Sequence, residues 1–81
     1  MAQVLLFGKL RDIAGWRTRV IYPTPPSLSA LVAILTREDP ALGTALAGVG
    51  IRAAVNKVLA LGDIPLAADV EVAFMPPMSG G

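Results

Sequence analysis

The sequence predicts an α+β domain in which a mixed β-sheet packs on one main helix, with short extra helices beside it. Three observations lead there. Near the middle of the chain, Leu28, Leu31, Val32 and Leu35 fall at i, i+3, i+4 and i+7 and make one apolar helical stripe. On both sides of that stripe, short apolar runs too brief for helices are stopped by glycine or proline, as strands are. At 81 residues, with no internal repeat or low-complexity linker, the chain has the length of one small domain.

The elements follow in order. Val4-Leu5-Leu6-Phe7, within residues 3–8, reads as a buried strand ending at Gly8. Leu10, Ile13 and Ala14 then stand at helical spacing, and Gly15 occupies the position of a helix C-cap, so one or two helical turns are expected. Residues 17–22 alternate, with Thr18, Val20 and Tyr22 against Arg17, Arg19 and Ile21; this is a strand with one polar face, ended by Pro23 and paired with the first strand as a hairpin. Pro23-Thr24-Pro25-Pro26 can be neither strand interior nor helix. Ser27 is placed to N-cap the main helix, which closes through Arg37, Glu38 and Asp39 before Pro40. Asp39 in turn caps a second, short helix that has Pro40 at its first position, carries Leu42 and Leu46 and finishes at Gly48. Glycines 43, 48 and 50 leave the fold of residues 40–52 the least determined stretch. Asn56-Lys57 joins residues 53–55 to residues 58–61 as a tight hairpin, because asparagine tolerates positive φ. After the breaks at Gly62 and Pro65, Val70, Val72 and Phe74 alternate with Glu71, Ala73 and Met75 in a closing strand. This order of elements is that of the β-grasp arrangement.

Composition narrows the function. There are no cysteines and no histidines, which removes thiolate nucleophiles, Cys/His metal sites and a histidine base; no metal site and no catalysis by the chain alone are expected. Net charge is +1 with scattered cations, so there is no footprint for nucleic acid. Only 16% of residues are charged, against roughly 25% in ordinary soluble domains, while 54% are apolar. A domain this small must expose part of that apolar surface, to a partner or to another copy. No apolar run approaches the ~20 residues of a membrane span and no basic leader opens the chain, so a cytoplasmic location is expected.

The closing strand runs into Pro76-Pro77-Met78-Ser79-Gly80-Gly81. Two prolines end the ladder and hold the backbone near polyproline II, and glycine without a Cβ passes where no other residue fits. Residues 76–81 therefore read as a tail protruding from a single domain 1–81, able to span on the order of 20 Å at ~3.3 Å per residue. Phe74 shares a face with Val70 and Val72 and belongs with the core, although it and Met75 are also candidates for a partner surface; Met78 stands equally between the two roles. Asp63 and Glu71 have no partner in the sequence that would tune them for acid/base work, and Arg11 and Lys57 are candidates to meet acidic groups on a partner, or are simply solvated.

Residues 72–81, Ala54-Val55-Asn56, and Val4-Leu5-Leu6-Phe7 followed by Leu10-Arg11 and Gly15 resemble the small subunits of molybdopterin synthase, the MoaD family of ubiquitin-like sulfur carriers, over essentially the whole chain. A terminal Gly-Gly alone is weak. A strand, Pro-Pro, one apolar residue, Ser and Gly-Gly in succession is a specific combination. Asn56 matches a recurrent asparagine of that family, beside its plainer reading as a turn residue.

The resemblance implies that the Gly81 carboxylate is adenylated by a ubiquitin-activating-like adenylyltransferase using ATP, becomes a thiocarboxylate with sulfur from a sulfurtransferase donor, and enters the large synthase subunit in a heterotetramer. Gly80, Ser79, Met78, Pro77 and Pro76 would be the inserted segment. The sulfur then goes to a pterin precursor in molybdenum cofactor biosynthesis, and no cofactor stays on the carrier. Two alternatives stay open. One is the sulfur carrier of thiamine thiazole synthesis, which shares the fold and the Gly-Gly but has a shorter chain without the Pro-Pro. The other is a ubiquitin-like protein modifier or a pure interaction module.

Overall fold

Residues 1–77 are described by the structure, a computed structural model, and among them the chain runs β1 (Ala2–Leu6), α1 (Lys9–Ala14), β2 (Thr18–Ile21), α2 (Leu28–Glu38), α3 (Pro40–Leu46), β3 (Arg52–Val55), β4 (Val58–Leu59) and β5 (Val70–Met75). The strands form one five-stranded sheet in the order β2-β1-β5-β3-β4. Its centre is the parallel β1/β5 pair, with Ala2 opposite Val70 and Leu6 opposite Phe74, and the β1/β2, β5/β3 and β3/β4 pairs are antiparallel. This mixed sheet with helices on one face is the expected β-grasp.

The caps behave as the residue types require. Ser27 Oγ accepts from the Ala30 N–H at 3.1 Å, which starts α2. Asp39 serves two helices: its N–H donates to Leu35 O at 2.9 Å, and its Oδ1 accepts from the Leu42 N–H at 3.2 Å with Pro40 opening α3. Asp39 thus caps the end of α2 with its backbone and the start of α3 with its side chain. Leu28, Leu31 and Leu35 of α2 and Leu42 of α3 pack with Val4 and Leu6 of β1 and Val72 and Phe74 of β5. Each such side chain contributes about 1.5–3 kcal/mol by leaving water.

Several expectations need correction. The alternation in β2 is real, but Arg19 and Ile21 pair with Val4 and Ala2 and so face the helices, while Val20 (53% exposed) and Tyr22 (83%) lie on the other side. Arg19 is accommodated there because its guanidinium lies 5.7 Å over the Trp16 ring and pairs with Glu38 at the end of α2. The first strand stops at Leu6, leaving Phe7 43% exposed. The strand expected through Leu61 is only Val58–Leu59, because beyond Ala60 the chain is drawn to the start of α2, where the Leu28 N–H donates to Ile64 O at 2.9 Å and the Leu66 N–H to Pro26 O at 3.0 Å. Asp63, expected to lack a partner, accepts from the Ser29 N–H and the Ser29 hydroxyl, each at 2.8 Å. Phe74 is 3% exposed, so the core and not a partner surface claims it.

A candidate functional site where the closing strand ends

Strand β5 delivers the chain to one end of the sheet. There the Phe7 N–H donates to Phe74 O at 3.2 Å, one step beyond the last β1/β5 pair, and Arg52 lies opposite Met75. Pro76 and Pro77 follow, and neither leaves the domain at once. Gly8 (φ 57°) lies so close to Pro76 that a Cβ placed on it would stand 2.9 Å from Pro76 Cγ. Gly50 (φ 83°) approaches Pro77, which stays exposed, so that a Cβ on the glycine would stand 2.8 Å from Pro77 Cβ. The first two residues of the expected tail are thus seated between two glycines, one after β1 and one before β3.

Three of the expected site residues are placed together at this end: Met75, half-buried, with Pro76 and Pro77. Met78, Ser79, Gly80 and Gly81, and with them the expected reacting carboxylate, lie outside the described residues. Lys9 opens α1 directly after Gly8, so Lys9 and Arg52 set cations on either side of the seat. Arg11 approaches Asp12 at 3.7 Å on α1. Lys57 is not part of this end, since the Asn56-Lys57 turn follows the Val55/Val72 pair at the opposite edge of the sheet.

Cross-strand partners share a face, so the registers place Val20, Leu5, Ala73, Met75, Ala54 and Leu59 on the face turned away from the helices, interleaved with Gln3, Thr18, Glu71 and Arg52. Leu59 is 42% exposed and Val20 more so. Among the described residues no helix packs on this mixed face, and its apolar part ends at Met75 beside the prolines. Among them, too, no group of carboxylates capable of holding a metal ion occurs. The pK of Asp63 is held below its ordinary value by the Ser29 N–H and then the Ser29 hydroxyl, with the Ile64 N–H adding to them against a small desolvation effect; Asp63 lies at the N-terminus of α2 and serves its capping.

Sequence reasoning anticipated the closing strand and its end before Pro76, while the tail expected beyond Pro77 lies outside the described residues. It missed Gly8 and Gly50 as the seat. The signal lay in glycines marked only as a strand stop and as a source of irregularity; contacts between segments so distant in the chain leave no local spacing to read.

With this geometry in view, the similarities are specific. The model of the ThiS family matches residues 4–81. The molybdopterin synthase sulfur carrier subunit of Escherichia coli (strain K12) is 33% identical over 81 residues, covering 100% of both chains. Among solved structures, the crystal structure of SAMP1 from Haloferax volcanii is similar with a TM-score of 0.84 and 28% identity over 99% of this chain and 98% of that one. A second crystal structure, of H. volcanii small archaeal modifier protein 1, gives 0.83 and 25% over 95% and 97%.

Proposed function

The chain belongs to the ThiS family, and from that premise we propose that it is the sulfur carrier subunit of a molybdopterin synthase, with the Gly81 carboxylate as the group that carries sulfur. The end-to-end similarity to the E. coli sulfur carrier subunit carries this reading. The chemistry suits a chain without cysteine or histidine. A carboxylate is a poor electrophile until an adenylate supplies a leaving group; the carboxylate oxygen attacks the α-phosphorus of ATP, pyrophosphate departs, and sulfide-level sulfur (HS⁻) released by a donor then displaces AMP to leave a thiocarboxylate. The activating enzyme supplies the catalytic groups, and the carrier supplies a narrow terminus. In the synthase, each thiocarboxylate passes one sulfur to a pterin precursor and water returns Gly81 to a carboxylate, so two loaded carriers supply the two sulfurs of the dithiolene.

The open face of the sheet supports the assembly part of the proposal. A large subunit laid over Leu5, Ala73, Ala54 and Leu59 would cover apolar surface that the domain leaves to water and would lie beside Pro76 and Pro77. A stable contact of this kind buries ~1,200–2,000 Å². The test is intact-mass measurement after incubation with the adenylating enzyme, ATP and a sulfur donor. The expected result is the sulfur-for-oxygen mass change at Gly81 with internal residues unmodified, and a gain on an internal side chain would refute the proposal.

A second reading is favoured by the two modifier-protein structures, each at least 25% identical to this chain. The same activated carboxylate can be attacked by a lysine amine in place of sulfur, giving an isopeptide bond. Mass spectrometry of cell lysates for Gly-Gly remnants on lysines of other proteins decides whether this second use exists.

A further inference from the structure

The contacts at Pro76 and Pro77 are closer than strand termination requires. Two prolines end a ladder by themselves. Here each also lies against a glycine with positive φ, Gly8 at 57° for Pro76 and Gly50 at 83° for Pro77, and in both places a Cβ would come within 2.9 Å of a proline ring carbon. The two glycines come from different segments and flank consecutive prolines, so together they restrict both position and direction of the backbone at Pro77. Gly15 (φ 82°) and Gly62 (φ 93°) show that the domain uses such conformations elsewhere without this close approach, since a Cβ at either would meet nothing within 4 Å.

We propose that Gly8 and Gly50 are positioning residues for sulfur loading, acting through Pro76 and Pro77 to aim the terminal carboxylate at a partner's reaction centre. This rests on the carrier reading. Four residues span at most ~13 Å at ~3.3 Å each, so turning the direction in which the chain leaves Pro77 by about 10° shifts the centre of the region the terminus can reach by up to ~2 Å. A misplacement of ~1 Å in a reacting group can reduce rate by about a hundredfold, so the aim of a stiff root matters more than its contact area.

The experiment compares Gly50→Ala and Gly8→Ala with Gly15→Ala and Gly62→Ala. All place a Cβ on a positive-φ backbone, with more strain at Gly8 (ψ −134°) than at the left-handed Gly15 (ψ 11°), but only the first two press on the prolines. Gly50→Asn is the companion variant should Gly50→Ala fold poorly, because asparagine accepts positive φ while keeping the Cβ. Melting temperature and the single-turnover rate of thiocarboxylate formation at saturating adenylating enzyme, ATP and sulfur donor are measured for each, beside a Gly81 deletion. Melting temperature should fall in all the alanine variants, whereas the rate should fall roughly tenfold or more only in the Gly8 and Gly50 variants. Because Pro77→Gly removes the ring carbons that a Cβ at Gly50 would meet, the double variant Gly50→Ala/Pro77→Gly should load no more slowly than Pro77→Gly alone. Gly50→Ala and Gly50→Asn loading as fast as Gly62→Ala, or rate losses that follow melting temperature across every variant, would overturn the proposal while leaving the carrier reading intact. A wild type that gains no sulfur, or a Gly81 deletion that loads normally, would overturn the carrier reading and the proposal with it.

Discussion

Asn56 and Glu71 are joined by a reciprocal pair of bonds: the Asn56 N–H donates to Glu71 O at 2.8 Å, and Asn56 Oδ1 accepts from the Glu71 N–H at 3.0 Å. The side chain extends the β3/β5 ladder one step past Val55 opposite Val72, while φ of 49° at Asn56 and 68° at Lys57 turns the chain into β4. The residue therefore serves the turn and the sheet together, which accounts for asparagine at this position without a role in chemistry.

Asn56→Ala should accordingly destabilise by about 1–3 kcal/mol, the sum of a lost hydrogen bond and a left-handed residue with a Cβ. Asn56→Gly should lose only the bond, about 1 kcal/mol. Urea denaturation of both variants measures the difference. Equal losses would show that the backbone conformation contributes nothing here.

The Asp63 carboxylate ties the loop after β4 to the first turn of α2 through Ser29, and those bonds hold its pK below the ordinary 3.8. A folded-state value below the unfolded one means the contribution is fully present above about pH 4 and is lost as pH falls through the folded value. Asp63→Asn should therefore melt lower than wild type at pH 7, with the gap narrowing on acidification below 3.8. A gap that stays constant with pH would assign the effect to shape and not charge.

How much of this was legible in the sequence depends on the reach of each interaction. The caps at Ser27 and Asp39, the stripe Leu28-Leu31-Leu35 and the Asn56-Lys57 turn rest on contacts within a few residues, and each was readable from spacing. Arg19 defeated the pattern because the Trp16 ring and Glu38 let a cation occupy the helix side of β2. Asp63 with Ser29, and Gly8 and Gly50 with the prolines, join segments that only the fold brings together. At the functional end, chemistry was read from residue types in the tail, while its seat depended on tertiary packing.

The uncovered sheet face gives a separate prediction. Ala54 and Leu59 face each other across β3 and β4, and Leu59 is open to solvent. Leu59→Asp should change folding stability by no more than about 1 kcal/mol at this short edge strand. It should raise the dissociation constant for a large synthase subunit at least tenfold, by leaving a carboxylate desolvated in the contact. Calorimetric titration checks this, and an unchanged affinity would place the contact on another face.

The identity of the reacting group is tested by asking whether Gly81 must stay terminal. One residue added after it converts the carboxylate to an amide and moves the new terminus out of register by about 3.5 Å. Gly81 then offers an amide and no carboxylate oxygen to attack ATP, and the new carboxylate one residue further on is displaced from the activating centre by more than catalysis tolerates. The extended protein should fail to load sulfur. Since the addition changes no residue of the core, stability should stay within ~0.5 kcal/mol of wild type, and the parallel melting measurement separates a loading defect from unfolding. Gly80→Ala is the finer probe, because under the proposed insertion a Cβ at this position would obstruct entry into a channel shaped for glycine while the carboxylate remains free. An N-terminal tag should be tolerated much better. Thiocarboxylate formation and melting temperature measured in parallel for wild type, extension and Gly80→Ala separate the cases: undiminished loading in the extended protein would remove the Gly81 carboxylate from the mechanism.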